Sequence, residues 1–253
     1  MSNGATFTWY GHSCVELRTG GGKTILLDPW FGNPTSPRTS DGVDACDVML
    51  VSHGHFDHLG SGPRDVANAD SLTIARRTKP AWVCIHELSL WLETQLGADS
   101  GVEIIGMNKG GRVPARGLSV TMVHAEHTAG DWSTASDGPL YLGEPVGFVI
   151  ELEDGKRVYY SGDTDVFGDM DLIRRLHKPD IAIMPIGGHY TMGPAGAALA
   201  AKMLDVSAVI PVHYGTFPIL AGTPDELRAE LSRVGAGNIQ VVAPERGVET
   251  ALP

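Results

Sequence analysis

Short apolar runs alternate along this chain with turns rich in glycine, proline and asparagine or aspartate. Residues 6–10, 14–17 and 24–27 form the first three, with Gly20-Gly21-Gly22 between the second and third. That pattern predicts an antiparallel meander. Residues 48–51, Val-Met-Leu-Val, predict a strand buried on both faces. Residues 65–77 favour helix, although Asn68 and Asp70 weaken it. Residues 81–85 predict a strand, and Leu88, Trp91, Leu92 and Leu96 fall on one helical face. Strands follow at 102–105 and 118–123. The second half repeats the theme. Strands at 146–150 and 157–160 are joined by the turn Asp154-Gly155-Lys156. Then come a helix at 171–176, a strand at 180–185, a helix from Pro194 to Leu204 and a strand at 208–212. Thr223-Pro224-Asp225-Glu226 predicts a capping box with proline at the first helical position, a helix to about Val234, and a last strand at 239–242. No linker or low-complexity stretch divides the halves, so one domain over 1–253 is expected.

The densest chemistry follows the 48–51 strand. His53, His55, Asp57 and His58 fall within six positions. In extended chain His53 and His55 point to the same side, and Asp57 and His58 address a second point as the chain turns. Neutral imidazole with carboxylate suits borderline divalent metals such as zinc, manganese or iron. A strand delivering them at its C-terminal end places them where α/β sheets put their ligand crevices.

Other strand ends carry similar side chains. His12 lies in Gly11-His12-Ser13 and reads, unaided, as a turn or edge histidine. His124-Ala125-Glu126-His127 ends the 118–123 strand; both histidines could bind one metal only on a helix or irregular loop. Asp163, in Gly162-Asp163-Thr164, reads unaided as a turn residue or helix cap. His189 ends the 180–185 strand, and His213 the 208–212 strand.

Composition narrows the class. A net charge of −11 excludes the basic footprint of a general nucleic-acid binder. It leaves an anionic small substrate open, because bound cations would dominate the local field. Cys14, Cys46 and Cys84 form no metal-spaced pair and suggest reduced, semi-buried thiols. No basic and apolar leader is visible, and no apolar run reaches the roughly 18 residues of a membrane span. A cytoplasmic protein off the membrane is expected, acting on a small molecule; a homo-oligomer is open.

His53-Gly54-His55-Phe56-Asp57-His58 is the signature of the metallo-β-lactamase superfamily, and Ser52 to Gly60 most resembles its ascorbate-6-phosphate lactonase-like branch of metal-dependent hydrolases. Gly11-His12-Ser13, His127-Thr128, Gly162-Asp163-Thr164, Thr191-Met192-Gly193-Pro194 and His213-Tyr214-Gly215 match in the same order. The resemblance implies an α/β fold, a four-layer αββα sandwich. It implies one metal on His53, His55 and His127, a second on Asp57, His58 and His213, and Asp163 between them. Zinc stands first, with manganese or iron as alternatives. His127 and not His124 is then the ligand, with Glu126 as a nearby carboxylate partner and His124 buried or supporting. Catalytic work falls to Asp57, His12 and His189, the last lining the pocket. The implied reaction is hydrolysis of a small ester, lactone or phosphoester by a hydroxide between the metals. A redox diiron enzyme on this fold, or a non-catalytic metal-binding protein, are the alternatives. The first usually replaces the second histidine of the cluster with a carboxylate and adds a flavin domain; the second would be expected to have lost ligands. Substrate choice is expected in loops 29–45 and 128–143; Trp30 and Phe31 in the first are packing anchors or pocket walls, and the second carries Trp132.

Overall fold

The computed structural model describes residues 4–133 and 138–253, with the side chains of 132 and 133 outside that description. The Trp132 side chain and residues 134–137, part of the loop expected to set substrate choice, therefore lie outside the described residues.

Apolar runs long enough to fill both faces of a sheet build two mixed seven-stranded sheets. In the first, the spatial order is Thr250–Ala251, Thr6–Trp9, Val15–Arg18, Thr24–Leu27, Val48–Leu50, Ala81–Ile85 and Glu103–Met107. The opening strands form the expected antiparallel meander; from Thr24–Leu27 onward the pairing is parallel. In the second, the order is Gln240–Val241, Ala208–Val212, Ile181–Pro185, Arg157–Tyr160, Val146–Glu151, Leu118–His124 and Arg112–Ala115. Strand period separates its faces. Phe148, Ile150 and Tyr160 join Phe7, Leu17 and Ile25 of the first sheet in a shared core. Val149 and Tyr159 point the other way, into a second core.

Helices close both outer faces. The first, α1 (Phe56–Leu59), is one turn at the metal-type cluster. Helices α2 (Asp70–Thr78) and α3 (His86–Leu96) belong to the first sheet, with α3 packed on Ala81–Ile85 and Glu103–Met107. Helices α4 (Met170–His177), α5 (Pro194–Leu204) and α6 (Pro224–Arg233) cover the second. The result is the αββα sandwich. Pro194 stands at the start of α5, and Thr223 with Glu226 completes a reciprocal capping box on α6. The strands Arg112–Ala115 and Thr250–Ala251 were not predicted; both are edge strands, the first a hairpin partner of Leu118–His124 and the second paired with the opening strand Thr6–Trp9. Their sequences carry no periodicity that distinguishes them from loop.

Strand direction positions the site. Thr24–Leu27 and Val48–Leu50 run parallel. Leu118–His124 and Arg157–Tyr160 are each antiparallel to Val146–Glu151, so they share one direction, and Ile181–Pro185 and Ala208–Val212 follow it. The C-terminal ends of each set therefore lie on a common rim, where ligand-bearing loops belong.

One close approach links this framework to the site. A Cβ at Gly187 would sit 2.1 Å from the backbone carbonyl oxygen of His213. Backbone cannot yield as a side-chain tip can, so the loop bearing His213 would move. Gly187→Ala should lower the melting temperature and the bound-metal content together. Native values of both, by calorimetry and elemental analysis, would show that the loop has room the packing denies.

Candidate metal centre

The strand ends bring seven predicted residues into two adjoining groups. The donor atoms of His53, His55 and His127 lie within 4.8 Å of one another. Those of Asp57 and His58 lie equally close to His213, and His12 joins this second group. Asp163 touches both. Its Oδ2 is 3.6 Å from Nε2 of His127, 3.2 Å from that of His58 and 3.1 Å from that of His213.

Local backbone geometry aims these side chains. His12, Asp28 and His213 all take left-handed φ, at 49°, 41° and 55°. Such values are uncommon outside glycine and persist where surrounding contacts hold them. Here they are held by hydrogen bonds. The Asp28 N–H donates to the Leu50 carbonyl and the His213 N–H to the His12 carbonyl, at 3.0 and 2.8 Å. The loop carrying His127 is tied to the loop carrying Asp163, since the Glu126 N–H donates to the Thr164 hydroxyl and the Asp165 N–H to the Glu126 carbonyl.

Sequence inspection missed the residue beneath the cluster. Asp28, which read as a strand-ending turn residue, is fully buried. Its carboxylate accepts from the Ser52 N–H (2.7 Å), the Ser52 hydroxyl (2.6 Å), the His58 Nδ1–H (2.6 Å) and the Tyr160 hydroxyl. An ionised carboxylate has only acceptors to offer, so each partner must donate. His58 is thereby fixed with Nε2 toward Asp163. The Ser52 proton is spent on Asp28, so its oxygen accepts from Nδ1 of His53, 2.9 Å away. His53 is thus also left with Nε2 facing its group. The available signal was a carboxylate directly after an all-apolar strand, but nothing in sequence links it to positions 52, 58 and 160.

His12 is held in a second relay. Its Nε2 lies 3.0 Å from Asp57 Oδ2 and its Nδ1 lies 3.1 Å from the Thr216 hydroxyl. With Asp57 ionised, His12 donates through Nε2, so Thr216 must donate to Nδ1. Burial, then the neighbouring His213, pushes the His12 imidazole down to about 4. Burial is also the main cause that pushes His55 down to about 4 and holds His53 and His127 below the usual histidine range. His58 is the exception: burial opposes its charge, but Asp163 and Asp28 hold it above that range. Burial would raise the Asp57 and Asp163 carboxyls; their imidazole neighbours, His12 for the first and His213 with His58 for the second, hold both below the carboxylate range.

These side chains suit metal binding. Nε2 of His58 and Nε2 of His213 have only their ion-pair contacts with Asp163 Oδ2, and Nδ1 of His213 and Oδ1 of Asp163 are buried without a hydrogen-bond partner. Such orphaned atoms are costly in a folded protein; a cation at the second group would satisfy Nε2 of His58 and one ring nitrogen of His213, and Oδ1 of Asp163 offers a further donor atom. The donor types, imidazole and carboxylate, match first-row divalent ions.

Two expectations need correction. His189 is exposed at a left-handed φ of 62°, with its ring against Tyr190, and Tyr190 is the residue lining the cavity beside the site. The turn swings the histidine outward. His124 is 40% exposed and pairs at 3.2 Å with Glu126, which is therefore not the partner of His127. Trp30 and Phe31 are buried packing residues. Trp30 backs the rings of His12 and Phe56 without entering the cavity lining.

That cavity, of about 600 Å³, opens beside both groups and includes His12, His55, Asp57, His127, Asp163 and His213 in its walls. Comparison with known proteins agrees with this architecture. Residues 23–214 match the family model described as "Beta-lactamase superfamily domain". The chain belongs to the metallo-β-lactamase superfamily. It is 44% identical over 226 residues to a UPF0173 metal-dependent hydrolase of Koribacter versatilis, covering 88% of this chain and 90% of that one. It is 39% identical over 245 residues to another of Myxococcus xanthus, covering 97% and 82%. Among solved structures it is similar to Igni18, a metallo hydrolase of the archaeon Ignicoccus hospitalis, with a TM-score of 0.79 and 33% identity over 98% of this chain and 100% of that one. The chain is thus a metal-dependent hydrolase of the metallo-β-lactamase superfamily. No helix among the described residues is long and apolar enough to cross a membrane.

Two tests bear on this geometry. His127→Ala should lose one metal per chain, whereas His124→Ala should keep full occupancy with at most a roughly 10–100-fold loss of affinity. The reverse pattern in elemental analysis would displace the assignment by three residues. The second test is pH. Between about pH 6.5 and 4 the unfolded chain takes up protons at His12 and His55 that the folded chain refuses. His58 is protonated in both states below 6.5 and adds no slope there. Asp57 and Asp163 lose their contribution only at still lower pH, through their depressed values. The metal-free protein should therefore lose about 1.4 kcal/mol of stability per pH unit for each such histidine as pH falls through this window. A flat urea midpoint from pH 6.5 to 4 would contradict the burial-driven shifts.

Proposed function

We propose that the chain hydrolyses a small ester, lactone or phosphoester with two divalent metals, zinc first and manganese or iron next. His53, His55 and His127 hold one ion; Asp57, His58 and His213 hold the other; Asp163 lies between. The observation that carries this is the contact of a single Asp163 oxygen with imidazoles of both groups, at the wall of the cavity. Bound metals supply a water of lowered pKa and a Lewis acid for the substrate oxygen.

The chain's own residues perform the rest. Asp163 places negative charge where two cations would otherwise repel. Asp28 orients one imidazole of each group through Ser52 and directly, as outer partners of metal ligands do. His12, aligned by Thr216, holds one oxygen of Asp57 and leaves the other free. No serine or cysteine lies among the described lining residues, and all three cysteines are buried and free. A side-chain nucleophile of either kind is therefore not at hand, which favours direct attack by water.

Purified, metal-replete protein should carry about two ions per chain, and Asp163→Asn should lose the second ion first. Removing one carboxylate charge from between two cations leaves their repulsion less compensated, so hydrolysis should fall by several orders of magnitude. Were Asp163 only a turn residue, the variant would lose about 1 kcal/mol of stability, as for a lost cap, and stay active. Full metal loading and near-native turnover at matched folded fraction would therefore refute the bridging role.

A further inference from the structure

The cavity is chemically lopsided. Side chains of the two donor groups line one part of it, the floor; Phe56, Tyr190, Phe217, Ile219 and Leu220 supply the apolar part of its wall. Tyr190, Phe217 and Ile219 are 62%, 36% and 47% exposed, so an apolar rim meets solvent at the mouth. Clustered exposed apolar side chains around a concave site mark binding surface and not random exposure. No lysine or arginine is among the described lining residues, whereas Asp131 is. The segment 134–137, Thr-Ala-Ser-Asp, adds no cation by sequence. Arg246, which reaches the same loop, lies outside that lining, with its guanidinium over the Trp9 ring and Nη2 donating to the Gly215 carbonyl. The whole chain carries −11, so long-range attraction of anions is absent as well.

Resting on the hydrolytic function above, we propose that this site takes a neutral carboxylic ester or lactone bearing an apolar chain, and discriminates against substrates with a phosphate or carboxylate remote from the scissile bond. A bound metal pair can face one negative charge at the reacting centre. A second anionic group, along the wall, would be desolvated against Phe217 and Ile219 with no cation to meet it, which is costly. An alkyl chain in the same place gains from leaving water. The reaction adds water across the acyl C–O bond. The water oxygen joins the acyl carbon, the bond to the alkoxy oxygen breaks, that oxygen takes one of the water's two protons and the new acid releases the other. The single carboxylate so formed would remain among the donor groups, where bound metal would face it, and the apolar chain at the wall.

The test uses metal-loaded protein and γ-lactones with no side chain, ethyl, butyl or hexyl, together with a lactone whose chain ends in phosphate. kcat/KM should rise roughly fourfold per methylene while the chain remains within the cavity, and the phosphate-ended lactone should fall below the unsubstituted one. Ile219→Lys alters an exposed rim position outside both donor groups. It should keep metal content, flatten the dependence on chain length and favour the phosphate-ended lactone. Preference of the native protein for the phosphate-ended lactone would overturn the proposal. So would hydrolysis of phosphodiesters with no lactone or ester turnover, although the hydrolytic function would then stand. No turnover of any class with two metals bound would remove that function and this inference together. If Ile219→Lys instead dissociates an oligomer in sedimentation and leaves the chain-length dependence intact, the rim is a contact between copies and the proposal fails.

Discussion

A carboxylate sealed between two sheets is the constraint on which this site depends. Taking an ion such as Asp28 out of water costs several kcal/mol unless its lone pairs are occupied. Four donors occupy them, from Ser52 twice, His58 and Tyr160. Those donors come from the loop after Val48–Leu50, from α1 and from the strand Arg157–Tyr160, so one buried charge fastens the first sheet to the second. The same bonds dictate which nitrogen of His53 and of His58 faces inward. Stability and ligand orientation are therefore one interaction counted twice. Loss of the carboxylate would leave four buried donors unmatched and two imidazoles free to turn.

Around that anchor the electrostatics favour a cation before any is bound. Burial keeps His53, His55 and His127 below the usual histidine range, which leaves their lone pairs available near neutral pH. His58 is held upward by Asp163 and Asp28, so an ion bound through its Nε2 would displace a proton, as metal binding generally does. The His12 and Thr216 relay imposes order on Asp57 in the way Asp28 does on the histidines. The two relays meet at neighbouring positions of one short segment, 52–58. That is why the segment can hold ligands for both groups.

Sequence disclosed the parts of this arrangement that are local. His53 to His58 is dense enough to signal metal chemistry by itself, and Thr223 with Glu226 or Pro194 at a helix start carry their structural meaning within four residues. What sequence could not disclose is contact at a distance. Asp28 meets Tyr160 across 132 positions and His12 meets Thr216 across 204. No periodicity encodes such pairings. Turns fail for a different reason. In His189-Tyr190 either ring could have pointed inward, and the outcome depends on a left-handed φ that the residue types do not announce. The same limit applies to His124, where the strand continues to its last residue and leaves the ring against Phe167 at the surface.

The division between floor and wall also separates two physical tasks. Floor side chains hang from strand ends whose backbone is locked into the sheets, as positioning of reacting groups requires. Apart from Phe56 on α1, the wall rides on the turns after Ile181–Pro185 and Ala208–Val212, outside the ladders. Yet these turns are clamped. The Gly222 N–H donates to the Gly187 carbonyl, and a Cβ at Gly222 would lie 1.8 Å from the Ile186 carbonyl oxygen. The Gly215 and Leu220 backbones are bonded across their own turn, and the Met192 N–H donates to the Thr164 carbonyl beside Asp163. A wall braced in this way presents Tyr190, Phe217 and Ile219 at fixed backbone positions, so little ordering of the chain remains for a substrate to supply. Side chains on such a wall can change identity without moving the floor, and substrate choice can vary while the chemistry stays.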